Sequence, residues 1–451
     1  MTEIRVLDGN SHICKISVMG PYLDFYVFFA FFSAKHIGRV TTHMGHLGLA
    51  VEGESVEVML EDHPTYLDCF LRLNHALMAG DGPLPKHIRR YVAIMASCRH
   101  HCNYLVEQQR SEFLEAGGPP EWLEGLTYTP KKIQDLHTTN VILAHQPWLF
   151  DVQHVEKLLK SNWSVSELTQ AICIMVHFHA LSSYIYGAGI EDASGELQSN
   201  YPPFLHPNDM ACCSGSPNSC ELQEGGVDVL LERIKTLALN QNSHNVTEEE
   251  HRDSFEKMKK QTACLSTPQP ETGPQQSRYS FLSPDPDFKY VDFGPKKGEK
   301  TPVPTLKSQD CSWEDTGYSL MHQLYSEIGD ILDDKFKTAY SMTYYTCGHQ
   351  NHVDTFLFRQ AVWNYLHCLF GIRHDDYDYG QINHLLERSL KSFLKTVACY
   401  PERLCSSGIV PPPIMKGFLQ SEKVHVLVLV LEARLQAELL HGLRALEHYL
   451  L

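Results

Sequence analysis

The stretch SEKVHVLVLVLEARLQAELLHGLRALEHYL, Ser421 to Leu450, decides the fold. Its first part, Val424 to Leu431, is apolar and β-branched enough to suit a strand. The part that follows, from Glu432, is helical in pattern, and one long buried helix accounts for both. No other segment reads convincingly as a strand. The fold expected is therefore all-α, with two helical lobes.

Working outward, helical periodicity dominates from about Gly38 to Gly189. VEVMLEDHPTYLDCFLRLNHALMAGDGPLP reads as two helices broken at His63-Pro64 and closed by Gly80, Gly82 and Pro83. In RRYVAIMASCRHHCNYLVEQQRSEFLEAGG, one stripe carries Val92, Met95, Cys98, Cys102, Leu105, Val106, Gln109 and Phe113. This reads as one helix, with Cys102 inside it, stopped by Gly117-Gly118. Ser164 and Glu167 have the spacing of a capping box and open the next helix.

Residues 191–307 change texture. Pro, Ser, Asn and Gln accumulate, and only GVDVLLERIKTLAL and TEEEHRDSFEKMKKQ look helical. The expected layout is an undetermined segment over 1–35, a first lobe over 36–190, a partly helical, partly disordered linker over 191–307 and a second lobe over 308–451. In the second lobe, VDTFLFRQAVWNYLHCLFG is a helix capped by Asp354 or Thr355, and INHLLERSLKSFLKTVACY is another.

The 451 residues carry a formal net charge of −16, which argues against a general nucleic-acid binder. The 14 cysteines include no CxxC pair at zinc spacing, so reduced thiols are expected. CGHQNH, Cys347 to His352, is a weak metal signal, and no metal is assigned. No run reaches the roughly 18–20 apolar residues of a membrane helix. FYVFFAFFSA, Phe25 to Ala34, lacks the basic flank of a signal peptide.

Four places could carry chemistry. Cys102 follows Arg99, His100 and His101, and is either an activated thiol or plain packing. Arg359 lies in an apolar line with Phe356, Trp363, Leu366 and Phe370, so an internal carboxylate or a ligand must neutralise it. Glu422, at a helix start capped by Ser421, favours the dipole there or receives an ammonium. With Thr343, Thr346 and Thr355 nearby, these are the groups a free amino acid requires. Finally, Asp375 and Asp376 in FGIRHDDYDYGQI lack a calcium-loop pattern and read as a solvated loop or as a partner patch with aromatic anchors.

RRYVAIMASCRHHCNYLV, GGPPEWLEGL, LAHQPWL, WEDTGYSLMHQLY and LHCLFGIRHDDYDYGQINHLLERSLKSFLKTVACYPE closely resemble sestrins, over about Leu60 to Gly189 and Ser312 to Leu451. The resemblance implies two alkylhydroperoxidase D-like lobes and a stress-responsive leucine sensor. Such a protein inhibits TOR complex signalling by binding the GATOR complex and is released by leucine. It implies a cytoplasmic location, with the nucleus as a second possibility, and no cofactor beyond L-leucine as ligand.

Carried over by residue, the resemblance makes Arg359 the partner of the leucine carboxylate and Glu422 that of its ammonium. Thr343, Tyr344 and Thr346 form a lid, with Thr355 nearby, while Asp375, Asp376 and Ser164 serve GATOR contact. Cys102 and Tyr104 become the redox pair of an alternative, peroxidase-like activity. The relay His, seven residues after that Cys, is Gln109 here, and Leu105 stands where alkylhydroperoxidases have a second Cys. Phe358 replaces a Leu beside the pocket. RLCSSGIVPPPIMKGFLQ, Arg403 to Gln420, replaces a Trp-containing helix, leaving Met415 or Phe418 near that place.

Overall fold

The computed structural model describes residues 2–7, 13–18, 56–190, 226–240, 247–265, 267, 278–292, 305–308, 310–342, 346–406 and 414–451. Thr343 and Tyr344 lie outside the described residues. Residues Met1–Gly48 form one unit and Leu49–Leu451 a second.

The first half of the second unit contains α1 (Pro64–Met78), α2 (Lys86–Arg99), α3 (Asn103–Glu115), α4 (His137–His145), α5 (Val152–Lys160) and α6 (Val165–Ala188). Then come α7 (Val227–Asn240) and α8 (Glu248–Ala263), the two helices expected within the linker. The second half holds α9 (Tyr318–Ser341), α10 (Phe356–Leu369), α11 (Gly380–Leu385), α12 (Arg388–Cys399) and α13 (Gln420–Leu450). The protein is all-α in class, as expected.

Strands do exist, and this corrects the sequence reading. β1 (Thr2–Leu7) pairs antiparallel with β2 (Ile13–Val18), Thr2 opposite Val18. In sequence their apolar residues alternate on either side of an Asp-Gly-Asn composition, a hairpin signal that the helical bulk of the chain overshadows. β3 (Leu306–Lys307) pairs parallel with β6 (Ile372–Arg373), and β4 (Thr346–Cys347) pairs with β5 (Gln350–Asn351).

α13 is helical throughout, and its strand-like run lies wholly inside the core. Burial on every side makes β-branched residues as useful here as in a sheet interior. α13 packs chiefly along α6, and also against α5, α9, α10 and α12. Three charged side chains come with it, because Glu432, Arg434 and Glu438 are fully buried. Each has partners, as burial of a charge requires. Glu432 pairs with Lys335 at 2.7 Å and accepts from Tyr66 Oη. Arg434 bonds Glu438 at 2.7 Å, Ser183 Oγ at 2.6 Å and His100 Nε2 at 2.7 Å. Tyr66, His100 and Ser183 belong to the first half, so the final helix is held by residues of both.

α6 is long and apolar enough to cross a membrane, but 94% of its most apolar window is buried inside the protein. Three boundaries differ from expectation. The Cys102 helix is two helices, α2 and α3, with a break at residues 100–102. INHLLERSLKSFLKTVACY is likewise two, α11 and α12, separated where Leu386 turns extended. α13 is not capped by Ser421; Leu419 holds the N-cap position and Glu422 supplies the capping carboxylate.

Candidate functional site

A cleft opens where the start of α10 meets the start of α13. Asp354 Oδ1 accepts from Phe356 N at 2.8 Å and caps α10, which fixes Arg359 one turn further on. Arg359 is 5% exposed. Its Nη1 donates to the carbonyl of Tyr340, at the negative end of α9. Its Nη2 stands 3.7 Å from Asp354 Oδ1, on a side chain that is 81% exposed. Its Nε is buried without a partner. Burial lowers the Arg359 pKa, and the Asp354 carboxylate opposes that shift. The resident carboxylate is therefore loose and leaves donor capacity unused.

Glu422 lies across the cleft. Its carboxylate accepts from Leu419 N at 2.8 Å, Gly348 N at 2.9 and 3.0 Å, and Thr346 Oγ1 at 3.2 Å. These bonds pin the β4–β5 hairpin to the head of α13. Gly348 has φ +62°, and a Cβ there would lie 2.8 Å from the Gly417 carbonyl, so only glycine fits. Cys347, in the weak metal motif, faces this cleft, and no cluster of three potential ligands exists among the described residues.

The free space in the cleft is about 30 Å³, far below the roughly 300–1,000 Å³ of small-ligand pockets. Its lining brings together Thr346, Thr355, Arg359 and Glu422, all named by the sequence reading. Phe358 and Phe418, which the resemblance put beside the pocket, line it too, and Cys347, His425, Val426 and Leu429 are added. Glu422, His425, Val426 and Leu429 follow 3–4 spacing, a signal that could have found the last three from sequence. Phe358 and Phe418 meet edge to face, with ring centroids 5.8 Å apart. Burial pushes His425 down to about 3, so its ring is neutral, and Nε2 donates to the Ala339 carbonyl at 3.2 Å.

The cysteine region is of another kind. Just past the end of α2, His101 takes φ +56°, while His101 N bonds Cys98 O and Cys102 N bonds Ser97 O, both at 3.1 Å. This double bond to the last turn closes a helix as a left-handed glycine would. Cys102 is thus the N-cap of α3 rather than a mid-helix residue, and it is 2% exposed. Burial pushes the phenol of Tyr104 up to about 12. Gln109 accepts from Arg90 Nη1 at 3.0 Å, and Arg90 pairs with Glu112 at 2.5 Å.

The family described as "PA26 p53-induced protein (sestrin)" matches residues 40–450. The chain belongs to the sestrin family. It is 42% identical to human Sestrin-2 over 426 residues, covering 90% of this chain and 87% of that protein. It is 38% identical to mouse Sestrin-3 over 454 residues, covering 93% and 92%. Against Xenopus laevis Sestrin-1 the identity is 39% over 416 residues, covering 88% and 85%.

In this sestrin the acidic pair is split. Asp375 is buried and bonded to the guanidinium of Arg373, on β6, whereas Asp376 is exposed. Tyr377 and Tyr379 are not surface anchors; both are buried, and Tyr379 Oη accepts from His374 N at 2.8 Å. Core packing claims those rings: Tyr379 meets Phe255 of α8 edge to face at 4.9 Å between ring centroids and Tyr377 at 5.3 Å. Ser164 is exposed at the head of α6, where Oγ accepts from Glu167 N at 3.2 Å and Glu167 Oε2 accepts from Ser164 N at 2.8 Å.

Proposed function

We propose that this sestrin is a stress-responsive leucine sensor. Without ligand it binds the GATOR complex and inhibits TOR complex signalling, and L-leucine in the cleft releases it. The observation that carries the reading is the buried Arg359 Nε, without a partner, in an apolar cleft that also holds Glu422. A guanidinium with spare donors suits a carboxylate. Glu422 at the other end suits an ammonium, and the apolar wall between suits an uncharged side chain. Asp376 and Ser164 form part of the proposed GATOR surface, and Asp375 acts there by holding Arg373. We place this activity in the cytoplasm, with the nucleus as a second location. Isothermal calorimetry with leucine tests the reading. Binding is expected in the native chain and its loss in Arg359→Met, with the thermal midpoint retained. Equal heats in both proteins would refute it.

A second reading, a Cys102-dependent alkyl hydroperoxide reductase, gains from the N-cap position of Cys102, where a helix terminus favours a thiolate. Against it stand the burial of that thiol and the amide at Gln109, which cannot relay a proton. Hydroperoxide-dependent thiol consumption that disappears in Cys102→Ser would move the reading to catalysis.

A further inference from the structure

The free space in the cleft is too small for an amino acid, so a wall must move before one enters. Two of the walls are short segments. The β4–β5 hairpin brings Thr346 and Cys347, and residues 414–418 bring Phe418. One side chain from outside the cleft packs on both. Val227, the first residue of α7, is buried between Gly348 of the hairpin and Gly417 beside Phe418. A Cβ on Gly348 would meet Val227 Cγ1 at 3.1 Å, and one on Gly417 would meet Cγ2 at 3.2 Å, so both glycine backbones lie directly against the valine. Polar bonds reinforce the junction. Val227 N donates to the Lys416 carbonyl at 3.1 Å, and Gln350 Nε2 donates to Asp228 Oδ1 at 3.4 Å. Further along α7, Leu230, Leu231 and Ile234 are buried, and Arg233 stands 3.7 Å from Glu387. On its inner side the hairpin is held by the Gly348 amide, which donates to Glu422. An ammonium arriving at Glu422 competes with that amide, and α7 then remains as the outer restraint.

We propose that α7 is a latch that regulates the cleft: docked, it holds the hairpin and the 414–418 segment in and keeps the cleft shut; lifted at Val227, it lets the two walls part. The inference rests on the leucine reading above and adds its control. Docked α7 and bound leucine exclude one another, so each weakens the other by the same factor. The affinity measured is the intrinsic one reduced by the fraction of molecules whose latch is open. Val227 touches no ligand; it is a positioning residue that acts through Gly348 and Gly417.

The test combines amide hydrogen exchange with leucine calorimetry on the full chain, native and with Val227→Ala or Val227→Ile. Without ligand, the Gly348 amide is expected to exchange about ten-fold faster in Val227→Ala and at the native rate in Val227→Ile, which keeps both Cγ atoms. Loss of two buried methyl groups supports a factor of that size. Leucine is expected to bind Val227→Ala more tightly by a similar factor, and to speed exchange of the Val227 amide in the native chain. A merely structural loss of packing would weaken leucine binding instead. Gly348 exchange unchanged in Val227→Ala, or leucine binding there equal to or weaker than native, overturns the latch. Heat from none of the three proteins refutes the leucine reading, and the ligand-free exchange at Gly348 still decides whether α7 holds the hairpin.

Discussion

Asp375 and Asp376 are neighbours in sequence with opposite physical roles. Asp375 neutralises Arg373, and both side chains are almost wholly buried. Removing one member of such a pair leaves the other charged and desolvated. Asp375→Ala should therefore cost about 3–5 kcal/mol in urea denaturation. Asp376→Ala, on an exposed side chain, should change stability by no more than about 0.5 kcal/mol. Equal effects would show that Asp375 is not held as described. One consequence concerns partner binding: loss of a complex on altering both residues together cannot distinguish a lost contact from a loosened loop, and Asp376 alone gives the clean result. The spacing of these residues shows two carboxylates in a turn. That one of them faces inward depends on β6 pairing with β3, which brings residues 306–307 beside 372–373.

At the scale of elements, the capping box of α6 was legible because both its halves lie within four residues. Ser164→Ala should cost about 1 kcal/mol, and Ser164→Asp, which keeps an acceptor, should restore most of it. Thermal melts of the two variants check this; equal losses would mean that the cap contributes little. The stripe from Val92 to Phe113 was also legible, since every member is buried. The break inside it was not. His101 takes a left-handed conformation without glycine, and Tyr186 Oη donates to its carbonyl at 2.7 Å from α6. A local pattern cannot announce a turn that a distant helix stabilises.

Across the whole molecule, buried histidines set the response to acid. Burial pushes His374 and His441 down to about 4 and His425 to about 3. His100, His145, His177 and His367 are lowered in the same direction by burial. Below the ordinary value of 6.5 the unfolded chain takes up protons that the folded chain refuses. Stability is thus full above about pH 7 and declines as pH falls below the ordinary histidine value of 6.5, because the unfolded chain then binds more protons than the folded one. Glu112 and Glu402, raised by burial, oppose this trend only in the carboxylate range. A thermal midpoint that falls steeply between pH 7 and pH 5 is expected; a flat profile would contradict the neutral buried rings.

By itself the sequence determined the helical class, most helix positions, the family and the four described pocket residues Thr346, Thr355, Arg359 and Glu422. Those features are carried by local periodicity, short capping patterns and long motifs, all of which survive without a third dimension. Tertiary structure decided the rest. It decided that Arg359 meets a helix carbonyl and only a loose carboxylate, and that Asp375 turns inward. It also decided that α13 is shared by both halves of the fold. Each depends on residues tens or hundreds of positions apart being packed together, and a buried charge acquires its partner only when the chain has closed around it.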